Sequence, residues 1–118
     1  MEEQNIRGTL MAEKEVTTAR IQALSDDFDG IVASSADSNL DDEHDPEGST
    51  VAFERAQVAG LLTEARAYLG ELDRALVRLA DGTYSECERC GSEISAERLS
   101  ARPAARLCIR CAASPSSD

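Results

Sequence analysis

The sequence contains no Trp, and aromatic residues make up only 3% of its 118 positions. Phe28, Phe53, Tyr68 and Tyr84 are too few to fill a large globular core. No run of about 18 uncharged apolar residues is present, so no membrane-spanning helix is expected. Residues 1–20 are charged throughout and lack the apolar centre of a signal peptide, which predicts a cytoplasmic location. Between Arg20 and Arg55 there is neither Lys nor Arg.

The apolar residues that are present are mostly Ala, Leu, Val and Ile, a composition suited to helices packed on helices. Charge is distributed unevenly. Residues 1–20 hold four acids and three bases, and residues 55–118 hold nine of each. The stretch between Arg20 and Arg55 holds ten acids, so −10 of the formal net charge of −11 sits there. Phosphate binding needs clustered cations, and this asymmetry argues against a nucleic-acid-binding protein. It favours a basic partner surface or a metal ion.

Two apolar stripes have helical spacing. Leu10, Lys14, Thr17, Ile21, Leu24, Phe28 and Ile31 follow alternating steps of four and three, interrupted in character at Lys14 and Thr17. Val58, Leu62, Ala65, Leu69, Leu72, Leu76 and Leu79 form a stronger second stripe. This is the heptad seam of a coiled coil. Two such stripes on consecutive helices bury each other most simply as an antiparallel hairpin, with arms of roughly 35–45 Å. Thr9 is the expected N-cap of the first helix and Gly48-Ser49-Thr50 the expected cap region of the second. Asp81-Gly82 closes the second helix. Residues 34–48, rich in Ser, Asp, Asn, Pro and Gly, are the expected turn, and the acids Asp41, Asp42, Asp45 and Glu47 fall there. A charge run of this kind is commonly a solvating one, and His44 within it reads as a solvated loop residue.

Residues 82–111 are too poor in apolar residues to hold themselves together. They contain all four cysteines, as Cys87-x2-Cys90 and Cys108-x2-Cys111 separated by 17 residues. A two-residue gap lets one tight turn present both sulfurs of a pair to a single ion, and Gly91 supplies the backbone freedom for such a knuckle. Four thiolates suit one tetrahedral Zn2+ with no open position, hence a structural site. Disulfides are disfavoured in a reducing compartment, and the βαβ setting of a thioredoxin-like motif is absent. An iron–sulfur cluster or a zinc-linked redox sensor is the remaining chemistry of such a set. Ser95 is the expected cap of a short helix reaching Ser100, with Pro103 beyond it. Arg89, Arg98, Arg102, Arg106 and Arg110 surround the cysteines. They serve either to offset nearby Glu86, Glu88, Glu93 and Glu97 and the thiolates, or as a docking or anion-binding surface.

The expected architecture is therefore mostly α. Residues 1–81 form an antiparallel two-helix coiled-coil hairpin with its acidic tip at about 34–48. A small four-cysteine zinc finger follows over residues 82–111, and 112–118 are a disordered tail. Nothing resembles a nucleophile–base pair, a phosphate loop or an open metal site, so no enzyme is expected. A zinc-finger adaptor, using the coiled coil for dimerisation or partner binding, is one functional class that fits.

The run Asp81-Gly82-Thr83-Tyr84, then Cys87-Glu88-x-Cys90-Gly91-x-x-Ile94, then Arg98-Leu99-x-Ala101-Arg102-Pro103-x-Ala105 and Cys108-Ile109-x-Cys111 resembles the finger of the DksA/TraR family. The resemblance implies a bacterial transcription regulator that binds RNA polymerase without contacting a specific DNA sequence. It implies that the coiled coil enters the polymerase secondary channel, where acids at the tip approach the catalytic Mg2+. It also implies a link to guanosine tetraphosphate and the stringent response. On this resemblance the tip acids are Asp41, Asp42, Asp45 and Glu47, and the candidate anion or polymerase contacts are Arg98 and Arg102. The sequence departs from the family tip signature Asp-x-x-Asp-x-Ala, for which Asp42-Glu43-His44-Asp45-Pro46-Glu47 is the closest fit, with Glu in place of Ala. For the nucleotide, Arg102 matches a family position, whereas Ala112 and Glu71 stand where basic residues would serve.

Overall fold

In the computed structural model, residues 3–38 and 46–114 are described, with side chains over 3–34 and 50–114. Four helices follow one another: α1 (Glu3–Ser38), α2 (Pro46–Asp81), α3 (Ala96–Ala101) and α4 (Ile109–Ala113). The fold is mostly α, a hairpin of two long helices followed by the small cysteine module. Among the described residues the only β pairing is an isolated antiparallel bridge between Glu86 and Glu93. No helix among them is long and apolar enough to cross a membrane.

Both long helices extend beyond their apolar stripes. At about 1.5 Å per residue each follows about 54 Å of path, longer than the stripes imply. α1 begins at Glu3, so Thr9 lies inside the helix and is not its N-cap. The first turn is supported by a 2.8 Å ion pair from Arg7 to Glu3, four residues apart on one face. α2 begins at Pro46, which places Gly48, Ser49 and Thr50 inside its first turns and not in a cap. Proline suits that first position because its fixed φ is helical and its missing N–H would have had no helical partner. The expected 34–48 turn is accordingly shortened at both ends. Asp41, Asp42 and Asp45 lie outside the described residues, and the backbone of Glu47 belongs to α2.

The chain forms two compact units: residues 1–15 with 69–118, and residues 16–68. In the second of these, Thr17, Leu62 and Ala65 are buried. Ile21, Leu24, Phe28, Ile31 and Val58 are half-buried. In the first, Leu10 and Leu72 are 0% exposed and Ala75 and Leu79 are also buried. Full burial of a Leu side chain is worth about 1.5–3 kcal/mol relative to exposure, so this inward stripe accounts for the pairing of the helices. Lys14 sits in the same stripe half-buried, and its Nζ reaches the Asp73 carboxylate on α2 at 2.8 Å. That pair joins the early part of α1 to the late part of α2, as an antiparallel arrangement requires.

α2 ends where Asp81-Gly82 predicts. Gly82 has φ +85°, a left-handed conformation that costs glycine little. The N–H of Thr83 donates to the Arg78 carbonyl at 2.9 Å, and that of Gly82 to the Leu79 carbonyl at 3.3 Å. These two bonds satisfy carbonyls that the helix end would otherwise leave open, and they direct the chain into the cysteine module. α3 has its expected cap: the Ser95 hydroxyl accepts from the Arg98 N–H at 3.1 Å. The tail begins later than expected, because Ala112 and Ala113 belong to α4 and Ser114 is its C-cap. The rest of the expected tail, residues 115–118, lies outside the described residues.

Candidate metal centre

The first cysteine pair is shaped by a tight turn. The Cys87 N–H donates to the Ser92 carbonyl at 2.7 Å, and the Gly91 N–H returns to the Cys87 carbonyl at 2.9 Å. Gly91 has φ +80°, so the knuckle needs the conformation that glycine adopts without strain. The second pair is shaped by a helix start. Cys108 is the N-cap of α4, in extended conformation, and its side chain makes no capping bond, which leaves the sulfur free to point elsewhere. Cys111 follows one turn into the helix, on the same side as Cys108.

All four sulfurs lie within 4.8 Å of one another. The Cys90 and Cys108 sulfurs are 3.8 Å apart. Four sulfurs placed tetrahedrally about 2.3 Å from one ion would be separated by about 3.8 Å. A disulfide would need about 2.05 Å, and all four cysteines are free. The donor set therefore fits a closed tetrahedral Zn2+ site in geometry and in chemistry. Zinc held by four thiolates has no open position for substrate, so it supplies a cross-link and not a reaction centre.

The electrostatics of the four thiols are divided. Hydrogen bonds, first that from the Cys90 backbone N–H, bring the Cys87 thiol down to about 6. The Cys90 thiol is lowered as well, first by its bond with the Ser92 side chain. Cys111 is pushed up to about 12, first by burial and then by the sulfurs around it. Four thiolates cannot coexist this closely without a cation to neutralise them, and a divalent ion removes that conflict.

Around the site, Cys87, Ile94 and Cys108 form a small buried cluster against which Leu99, Leu107 and Cys111 pack. Tyr84 is buried beside it, and its hydroxyl donates to the Pro103 carbonyl at 2.7 Å. The arginines divide by partner. Arg98 Nε donates to the Leu107 carbonyl at 2.9 Å, so this residue braces the segment ahead of Cys108. Arg89 Nη1 donates to the carbonyls of Cys111 and Ser114, at 2.9 and 3.2 Å. Arg106 pairs with Glu88 at 3.4 Å. Arg102 is exposed; its backbone N–H donates to the Arg98 carbonyl at 2.8 Å and its carbonyl accepts the Ala105 N–H at 2.9 Å. Sequence reasoning did not single out Arg78, which lies buried on α2 and reaches both the Glu88 carboxylate and the Ala105 carbonyl. Nothing local marks it, since its acceptors are 10 and 27 residues away.

A hairpin of two long helices carrying a closed four-cysteine zinc site defines a structural zinc-finger protein. Residues 82–115 match the prokaryotic dksA/traR C4-type zinc finger. The finger of this chain is thus of the dksA/traR type. It is similar to General stress protein 16O of Bacillus subtilis, with 37% identity over 81 residues, covering 69% of this chain and 50% of that protein. It is similar to the RNA polymerase-binding transcription factor DksA of Escherichia coli K12, with 41% identity over 46 residues, covering 39% of this chain and 30% of that protein. The chain thus matches half or less of the length of these two relatives. The solved structure of transcription factor DksA2 from Pseudomonas aeruginosa resembles it with a TM-score of 0.76 at 28% identity, covering 94% of this chain and 80% of that one.

Proposed function

We propose that the protein is an RNA polymerase-binding regulator of transcription initiation whose acidic hairpin end enters the secondary channel of the enzyme. The observation that carries this reading is the likeness to DksA2, which extends over 94% of the chain and so includes the hairpin as well as the finger. The polymerase as partner is supported by the DksA relative, whose name describes it as an RNA polymerase-binding transcription factor. On this reading the finger holds the base of the hairpin rigid through one structural Zn2+. Asp41, Asp42, Asp45 and Glu47 then present carboxylates at the far end, where hard oxygen ligands can act on a divalent metal site. The stretch that carries −10 of the net charge favours approach to a cationic entrance. The protein acts in the cytoplasm, on the polymerase and not on a particular DNA sequence. Guanosine tetraphosphate is a candidate co-ligand through Arg102 and Arg98, the latter held by its bond to the Leu107 carbonyl.

The test uses the zinc-loaded full chain and purified RNA polymerase. Co-elution of the two, together with altered promoter-complex lifetime, is the expected result. The double substitution Asp42→Ala and Asp45→Ala is expected to co-elute as the parent does while losing the effect on transcription. Failure of the parent to co-elute overturns the partner, and unchanged activity of the double variant overturns the tip mechanism. Repeating the assay with guanosine tetraphosphate, for the parent and Arg102→Ala, decides whether the nucleotide acts through this chain.

A further inference from the structure

One side chain outside the finger holds both of its halves. Arg78 lies in the last turn of α2 and is only 8% exposed. Its Nη2 donates to the Ala105 carbonyl at 3.0 Å, and its Nη1 faces the Glu88 carboxylate at 3.4 Å. Glu88 lies between Cys87 and Cys90, and Ala105 lies three residues before Cys108. A single guanidinium therefore spans the two segments whose sulfurs must converge. Those segments are already joined where it grips them, because the Glu88 N–H donates to the Arg106 carbonyl at 2.8 Å. The backbone of the same residue takes part too: the Arg78 carbonyl accepts the Thr83 N–H at the turn leading into the finger.

Packing of the helix does not account for an arginine at this position. The Arg78 Nε is buried with no hydrogen-bond partner, which is unfavourable, and an apolar residue would fill the seam without that cost. What an apolar residue lacks is a planar fork able to meet two acceptors on separate segments. The compact ammonium of lysine lacks it also.

We infer that Arg78 is a positioning residue of the zinc site, tying both cysteine-bearing segments to the end of α2 and thereby coupling zinc affinity to the order of that helix end. Metal binding and closure of this clasp require the same placement of the two segments. By linkage, each strengthens the other by the same factor. The inference stands on the metal centre and does not depend on the proposed role in transcription.

The experiment compares zinc-loaded full-length parent with Arg78→Met, which keeps an unbranched apolar stem without donors, and with Arg78→Lys. Zinc affinity is measured by competition with a chromophoric chelator, helix content by far-ultraviolet circular dichroism, and local order by amide hydrogen exchange at Gly82 and Thr83. With zinc saturating, Arg78→Met is expected to keep the parental helix content while binding zinc about tenfold more weakly, with Arg78→Lys between the two. Stripping zinc from the parent is expected to accelerate exchange at Gly82 and Thr83, and to do so much less in Arg78→Met. Affinity within about twofold of the parent overturns the inference, as does parental exchange that ignores zinc removal. Should Arg78→Met not fold, Glu88→Ala removes one acceptor at a more exposed position, with Arg106→Ala as the control because Arg106 shares that carboxylate: zinc binding weaker than in Arg106→Ala supports the clasp, and binding no weaker than in that control overturns it.

Discussion

The hydroxyl of Tyr84 donates to the carbonyl oxygen of Pro103 at 2.7 Å, joining the entry of the zinc finger to the segment that leads back toward its second cysteine pair. The ring is buried, so the bond replaces one that water cannot supply. Burial pushes the Tyr84 phenol above its ordinary value, against the opposing pull of the Arg78 charge, and the group stays a donor through neutral pH. Tyr84→Phe keeps the ring and orphans the carbonyl. A loss of about 1–2 kcal/mol is expected from chemical denaturation, with one zinc per chain retained in native mass measurement. An undiminished stability would show that this bond contributes nothing net.

The seam of the hairpin makes a second, sharper prediction. Leu72 is 0% exposed, whereas Val77, five residues further along α2, is 60% exposed. Leu72→Ala is expected to cost about 2–5 kcal/mol, because the site loses both transfer energy and packing. Val77→Ala should stay within about 0.5 kcal/mol of the parent. Equal effects in thermal or urea unfolding would mean that these helices are not paired through this stripe.

The difference between those two positions is what the sequence displayed most clearly. Every residue of both stripes is buried or half-buried, including Lys14 and Thr17, whose polarity obscured the first one. The helix ends were less legible. Periodic apolar residues mark only where a helix has something to bury, and α1 continues from Leu10 back to Glu3 on a local ion pair that no stripe reveals. Pro46 read as part of a turn because proline ends helices more visibly than it starts them. The four ligands were fully legible, since the spacing of a CxxC pair encodes a local turn. Arg78 was not, because its burial is decided by acceptors on the finger that approach it only after folding.

Lys14 and Asp73 supply a prediction of a small effect. Their 2.8 Å ion pair joins α1 to α2, yet the side chains are 39% and 51% exposed. Water and salt screen such a pair, and ordering two side chains opposes it. A double-mutant cycle with Lys14→Met and Asp73→Asn should give a coupling of about 0.2–1 kcal/mol, shrinking as salt is raised. Lys14→Met by itself is expected to be at least as stable as the parent, since it places an apolar side chain in the seam; a coupling of several kcal/mol would instead make this pair a principal determinant of helix pairing.

The pH dependence of zinc binding follows from the divided thiols. Cys87, at about 6, is already a thiolate at neutral pH and has no proton to surrender. Cys111, at about 12, is still a thiol there and must lose its proton when the metal binds. Protons therefore compete with zinc, and affinity should rise with pH between about 6 and 8. Below about 6 the Cys87 proton joins the competition and the fall in affinity should steepen. Chelator competition across that range measures the slope. Calorimetry in two buffers of different ionisation enthalpy counts the protons released, expected at neutral pH to be at least one, from Cys111, and fewer than four, because Cys87 contributes none. A zinc affinity that did not change with pH would show that Cys111 is ionised before the metal arrives.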